Sequence, residues 1–454
     1  MSVAVLAVVV LATAYWLYQI VASLFFSPLA AIPGPKLYAL TGLRLAYDDY
    51  TGSRTRNFVK LHEKYGPVVR VGPNEVIFNS VSALRTIYGA GSGFERTDFY
   101  RMFDVYGIKN MFTFPSSKDH GDRKKLLANA YSKSSLMKEE STTMIEDKVR
   151  KCMELLDRQS GSVEIFSALH YFSIDTITEF LYGSFGRTAC MEGSKKDRDL
   201  ISDIVDTARR KLSWFAIHIP GFTTWLYSRT GLLGSIARCF YPMKPPTTYT
   251  GIRIHARKAV QDFSHASAGQ KSQEPALISK LWRNHRDQKK GGLDDLEVAA
   301  ELADHLLAGI DTSSDSIMFL IWSLSLPENE KYQQKLIDEV QKIPDEQINA
   351  DGIPCTEAMD KLPYMDAVIK ETLRLFTPLP GSEPRSLPTV SRIDGYVIPP
   401  RSVVSMSPYT LHRNPEVFEN PSEFNPDRWF HDTSEMRKWF WAFSSGARMC
   451  IGMQ

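Results

Sequence analysis

The sequence contains no C-x-x-C pair, no internal repeat, no low-complexity block, and no basic run beyond Arg286-Asp287-Gln288-Lys289-Lys290, which reads as a solvated loop. Its five cysteines, Cys152, Cys190, Cys239, Cys355 and Cys450, are widely spaced and odd in number. That pattern argues against structural zinc, a redox dithiol or a disulfide framework, and for a reducing, cytosol-facing main domain. A formal net charge of only +2 provides no electrostatic footprint for nucleic acid. What remains is the composition of a folded globular chain, with 43% hydrophobic, 11% aromatic and 23% charged residues over 454 positions. Wholesale disorder and a multi-span membrane protein are both excluded.

Residues 3–26 carry no charge and are dominated by Val, Leu, Ala, Ile and Phe. At about 1.5 Å per residue, such a helix crosses the roughly 30 Å hydrocarbon core of a bilayer, with Tyr15, Trp16 and Tyr18 suited to an interface. The stretch is long for a signal sequence and lacks a charged leader, so residues 1–26 are expected to form a single transmembrane anchor. The first basic residues, Lys36 and Arg44, follow the span, which places the body in the cytoplasm. No early arginines suggest a mitochondrial presequence, and the endoplasmic reticulum membrane is the expected location. Prolines 28, 33 and 35 make residues 27–36 a stiff linker. Residues 37–454 then form a single large domain, mainly α with a minor β-sheet region. Val68 to Val71 and Glu75 to Phe78 alternate around Gly72-Pro73-Asn74 as a hairpin. Residues 134–326 are mostly helical in pattern, broken near Ile219-Pro220-Gly221 and between Pro242 and Pro246.

The densest chemical signal is Phe443-Ser444-Ser445-Gly446-Ala447-Arg448-Met449-Cys450-Ile451-Gly452. A thiolate metal ligand needs positive surroundings and backbone N–H donors, and glycines let the chain approach sulfur closely. Taken alone, Cys450 would read as a buried structural thiol. The spacing F-x-x-G-x-R-x-C-x-G overturns that reading, because it resembles the haem-binding signature of the cytochrome P-450 superfamily. The resemblance implies a single haem-thiolate domain carrying haem b, with Cys450 as the axial iron ligand, Arg448 on a propionate, and Phe443 and Gly446 shaping the loop. Glu371-Thr372-Leu373-Arg374 resembles the family's E-x-x-R, both charges on one helix face. Arg428 in Phe424-Asn425-Pro426-Asp427-Arg428-Trp429 would complete a structural Glu371, Arg374, Arg428 core.

Ala308-Gly309-Ile310-Asp311-Thr312 lies in an apolar pattern running from near Asp294 to just before Pro327, a helix of about 45 Å. The small residues Ala308 and Gly309 are expected to leave a groove for O2, with Asp311 and Thr312 as catalytic proton carriers. The bland alternative is a Thr312 bonded back to its own helix and a solvated Asp311. Asp119-His120-Gly121-Asp122-Arg123-Lys124 resembles the helix whose Trp or His and, four residues on, Arg reach a propionate. His120 and Lys124 are the expected pair, with lysine replacing the bidentate arginine and Arg123 able to substitute only by re-registering the helix. Arg385, in Pro380-Gly381-Ser382-Glu383-Pro384-Arg385, is a further propionate candidate.

No flavin or nicotinamide motif is present, so the resemblance implies a separate NADPH-dependent membrane reductase as electron donor. The implied reaction is insertion of one oxygen atom from O2 into a lipophilic small molecule. Segments such as Arg70-Val71-Gly72-Pro73-Asn74-Glu75-Val76 look like those of filamentous-fungal members acting on terpenoids, polyketides or alkaloids. Only Met453 and Gln454 follow the haem loop, where family members continue into a helix and strands. The haem domain is accordingly expected to be C-terminally incomplete. Two alternatives to the monooxygenase stay open: a haem-thiolate isomerase or dehydratase, and a truncated non-catalytic remnant.

Overall fold

A computed structural model describes residues 3–205, 214–227, 231–232, 234–236, 250–285 and 292–453. The expected loop at 286–290 and the proline-rich break at 242–246 lie outside the described residues. At the other expected break, only Ile219 leaves the helical path. Pro220 opens the next helix, Pro220–Tyr227, at a position where a missing N–H is tolerated.

The body is mainly helical with a small sheet. Helix α1 (Val3–Val21) runs into a π-helical turn, Ala22–Phe26. Together they are long and apolar enough to cross a membrane, and Leu11, Tyr15, Trp16, Tyr18 and Phe25 are exposed. The segment after α1 is docked onto the body, with Leu29 and Ile32 buried in the core beside the sheet. Buried Arg70 joins the two parts: Nη1 donates to the Ser23 carbonyl at 2.9 Å and Nη2 to the Pro73 carbonyl at 2.8 Å.

Five further helices position the site: α2 (Ser117–Leu127), α3 (Ile165–Tyr182), α4 (Thr250–His265), α5 (Asp295–Ser325) and α6 (Pro363–Leu375). The long helix α5 begins where its sequence dictates. The Asp294 carboxylate accepts from the Glu297 N–H at 2.7 Å, while the Glu297 side chain accepts from the Asp294 N–H at 3.0 Å, a capping box. It stops at Leu326, which is extended ahead of Pro327. Helices α3 and α4 pack along it, burying Leu302, Leu306 and Ile310 completely. Each such side chain contributes roughly 1.5–3 kcal/mol relative to exposure.

The strands are β1 (Val68–Gly72), β2 (Glu75–Phe78), β3 (Glu95–Arg96), β4 (Arg385–Ser386), β5 (Ser391–Ile393), β6 (Tyr396–Ile398) and β7 (Val403–Ser405). The expected hairpin pairs Val68 with Phe78, and a bulge lies between Arg70 and Gly72. The main sheet has the order β1-β2-β7-β4-β3, with β2 and β7 parallel and the other pairs antiparallel. This register sets Arg96 directly opposite Arg385. Strands β5 and β6 form a separate hairpin.

Candidate active site

The loop that carries Cys450 is closed by its own backbone: the Cys450 N–H donates to the Phe443 carbonyl at 2.8 Å. Two residues in the left-handed region, Ser444 (φ 60°) and Gly446 (φ 63°), turn the chain between them. Gly446 was expected to bring backbone close to sulfur and porphyrin, and the structure gives it a further role. A Cβ there would lie 2.3 Å from the Tyr88 carbonyl oxygen, so glycine lets the loop seat on the Tyr88–Gly89 backbone. Gly446→Ala is expected to cost about 1–3 kcal/mol, read as a lower thermal midpoint. Gly452→Ala, whose Cβ would meet only the Cys450 sulfur at 4.0 Å, should leave that midpoint nearly unchanged.

Cys450 is exposed at the end of this loop. The protein crowded around its sulfur still raises the thiol above its ordinary range, opposed by the Gly452 N–H and the Lys124 ammonium. Bound iron would remove that proton outright. Lys124 reaches the loop itself. Its Nζ donates to the carbonyls of Met449 at 2.6 Å and Ala447 at 3.1 Å, so it ties α2 to the loop, with its charge beside the sulfur.

Next to the loop is a concentration of positive charge with too few anions. Arg385 is buried, donating to the Tyr100 hydroxyl at 2.5 Å and to Glu383 at 3.0 Å. Burial works against its charge, but Tyr100, Glu383 and Tyr88 outweigh burial and hold it above the ordinary arginine value. Arg448 donates to the carbonyls of Phe114 and Pro115, leaving its Nε without a partner. Burial, then Arg96 and Arg385, push it down to about 9. His120 is buried with Nδ1 unpartnered, and burial followed by Arg448, Arg96, Lys124 and Arg385 pushes it down to about 3. Arg96 was not singled out from the sequence. It stands opposite Arg385 in the sheet and also has an unpartnered Nε. Like charges on facing strands destabilise a sheet unless an anion lies between them. Two carboxylates delivered beside Cys450 would answer every one of these orphaned groups, so the residues present fit haem.

Arg123 does not take the place of the family arginine. It is buried and paired with Glu301 and Glu297 of α5. Along α5, the Thr312 hydroxyl donates to the Ala308 carbonyl at 2.7 Å, which is half of the bland reading. The other half fails, because Asp311 is not simply solvated. His170 of α3, itself buried, places Nε2 3.5 Å from the Asp311 carboxylate. Burial alone would lower the His170 imidazole, but Asp311 and the Phe166 carbonyl outweigh it and the pKa is raised. No sequence pattern announced this pair, since the partner comes from a neighbouring helix. The glycine of the motif also has a different use: a Cβ at Gly309 would lie 2.7 Å from Ile177 Cγ1. Its smallness lets α3 pack against α5. Only Ala308 opens onto free space.

Glu371 of α6 is fully buried and accepts five hydrogen bonds. Arg374 provides two, at 2.9 and 2.8 Å, and Arg428 one at 3.1 Å. The Asn425 N–H (2.9 Å) and the Trp429 indole (3.0 Å) complete the set. The second arginine face of Arg374 is satisfied by the carbonyls of His412, Pro421 and Glu423. This cluster locks α6 to the segment leading into the cysteine loop.

Residues 32–454 match the family described as Cytochrome P450. The chain is 31% identical to the cytochrome P450 monooxygenase aflV of Aspergillus parasiticus, covering 96% of this chain and 83% of that protein. It is 30% identical to the cytochrome P450 monooxygenase stcB of Emericella nidulans, over 94% and 79% respectively. It is 28% identical to the cytochrome P450 monooxygenase sol6 of Alternaria solani, over 97% and 93%.

Proposed function

Since this chain belongs to the cytochrome P450 family, we propose that it is a membrane-anchored haem-thiolate monooxygenase, inserting one oxygen atom from O2 into a lipophilic product of fungal secondary metabolism, a terpenoid, polyketide or alkaloid. The observation that carries this reading is the under-neutralised cluster of Arg96, Lys124, Arg385 and Arg448, with the buried neutral His120 among them, beside the open Cys450 sulfur. Bound haem supplies the electron transfer and O2 activation that no side chain can. Cys450 is the iron ligand, and Arg448, Arg385, Arg96 and His120 hold the propionates, while Lys124 fixes the loop. Glu371, Arg374 and Arg428 keep the loop's support rigid. Asp311 and Thr312 carry protons to the open side of α5. The Thr312 oxygen, although its proton faces Ala308, can still accept a hydrogen bond from a water on the exposed side of the helix. His170 keeps Asp311 in place. The N-terminal helix anchors the protein in the endoplasmic reticulum membrane with the body in the cytoplasm, where an NADPH-dependent membrane reductase supplies electrons.

With such a reductase and labelled O2, the product should carry one labelled oxygen, and omission of either O2 or reductase should stop turnover. An isomerase or dehydratase would continue without them. Thr312→Ala should lower product formation about a hundredfold, the weight of a positioned proton donor, while NADPH use continues and hydrogen peroxide accumulates. An unchanged ratio of product to NADPH would remove Thr312 from the proton path.

A further inference from the structure

Upstream of the Ala308–Thr312 stretch, α5 gathers three metal-ligating side chains that the oxygen chemistry does not use. Glu301, Asp304 and His305 stand at i, i+3 and i+4, the spacing that puts residues on one helix face. A ligand atom from each lies within 4.8 Å of those of the other two. Glu301 is 0% exposed and His305 6%, so the packing of the core holds two of the three in place.

What points to an ion is the state of His305. Its Nδ1 lies 2.5 Å from the Tyr131 hydroxyl. Its buried Nε2 makes no hydrogen bond, although Oε1 of Glu301 is 3.4 Å away. A buried ring nitrogen is costly without a partner, and this one is aimed at two carboxylates. The same 3.4 Å is close to the separation of two ligands that each lie about 2.1 Å from a tetrahedral ion. With Nδ1–H donating to the Tyr131 oxygen, the Nε2 lone pair is free to ligate, and Tyr131 fixes the ring and its tautomer. The surrounding charge agrees. Glu297 and Glu301 share Arg123, and among the described residues Asp304 has no ion-pair partner. Arg96 also acts on Asp304, but it belongs to the cation cluster beside Cys450. Three neighbouring carboxylates thus have one directly paired arginine among them, a shortfall of positive charge that a single divalent ion makes good.

We infer that Glu301, Asp304 and His305 form a site for a first-row divalent metal ion, separate from the haem iron. One imidazole with two carboxylates suits zinc better than calcium or magnesium, which favour all-oxygen sets. Glu301 ligates through Oε1 while Oε2 keeps Arg123, because an ionised carboxylate has about four acceptor positions. Asp304 also lines a cavity of about 20 Å³ with Phe103, Val105, Ile252 and Leu307. That is room for one water, the usual fourth ligand where the protein supplies three. All three protein ligands lie on α5, so the ion ties down the helix ahead of its catalytic stretch and needs neither the thiolate nor the porphyrin.

The test is dialysis of the full haem-loaded chain, first against EDTA and then against free zinc buffered at about 1 µM, with zinc and iron counted by atomic emission. About one zinc per chain should be retained beside the iron. His305→Ala and Asp304→Asn should each weaken that retention at least about tenfold, since loss of even an outer partner of a metal ligand costs that much. No retained zinc, or retention that either substitution leaves unchanged, overturns the proposal. Zinc K-edge absorption of the unaltered protein keeps the test valid if the variants fail to fold. The expected shell is nitrogen and oxygen at about 2.0–2.2 Å, whereas sulfur at about 2.3 Å would put the ion on a cysteine and overturn the assignment. Neither measurement requires O2 or reductase, so failure here is separate from failure of the monooxygenase reading, which the carbon monoxide spectrum and labelled-oxygen turnover test.

Discussion

Cys450→Ala is expected to abolish the strongly red-shifted Soret band that the reduced protein should give with carbon monoxide. The band reports a thiolate ligand, and among the described residues the Cys450 sulfur is the one beside the cation cluster. Among the described residues, Cys152 and Cys190 are buried in apolar clusters of the helical body and Cys355 caps a short helix, none of them beside the cation cluster. The effect should be complete, and total haem measured after extraction in pyridine separates two kinds of loss. If haem stays bound through the cation cluster while the band is lost, Cys450 is the ligand and the arginines are an independent hold. If the variant keeps the band of the unaltered protein, Cys450 is not the ligand and the site assignment falls.

Glu371→Ala should be the most destabilising single change in the support of the site, at about 3–5 kcal/mol. Removing the carboxylate leaves Arg374, which is 0% exposed, as an uncompensated buried cation. It also strips acceptors from Arg428, the Asn425 N–H and the Trp429 indole. Against a typical total stability of about 5–15 kcal/mol, such a loss should appear as a large drop in urea midpoint and in soluble yield. The Lys370–Asp366 pair on the same helix is the internal control. It is 2.5 Å apart, yet both side chains are largely exposed at 41% and 59%, so Asp366→Asn should cost under about 1 kcal/mol. Equal losses from the two substitutions would show that burial of the Glu371 cluster does not set its weight.

Those two contrasting pairs illustrate what could be read from residues alone. Glu371 and Arg374 were legible because their i to i+3 spacing on one helix is a local fact, and Arg428 because it lies in a recognisable segment. The helix start near Asp294, the stop at Pro327 and the hairpin around Pro73 were legible for the same reason: helix ends and turns are written in a few adjacent residues. Arg96 was not, because nothing around Glu95-Arg96 signals that a sheet will lay it opposite Arg385. His170 was missed likewise, since helix packing rather than sequence spacing brings it to Asp311. Gly309 was read as leaving a groove and Gly446 as bringing backbone close to the sulfur, and neither neighbour they meet could be read locally. Gly309 meets Ile177 and Gly446 meets Tyr88, partners far off in the chain. That Lys124 would reach the Ala447 and Met449 carbonyls was likewise not legible, since those acceptors lie more than 300 residues farther along the chain.

The parallel pairing of β2 with β7 governs when the fold can close. Asn74, beside β2, donates to the carbonyl of Arg401, 327 residues farther along the chain. At about 5–20 residues per second, a ribosome takes on the order of tens of seconds to synthesise that interval. Through all of it the first hairpin has one edge without its partner strand, although Val76 and Ile77 are buried in the finished molecule. The same delay applies to Arg96, whose facing strand arrives equally late. Newly made chains therefore pass through a long stage with an open, apolar strand edge, and slower growth temperatures or added chaperone capacity should raise the folded yield more than any change to the haem loop.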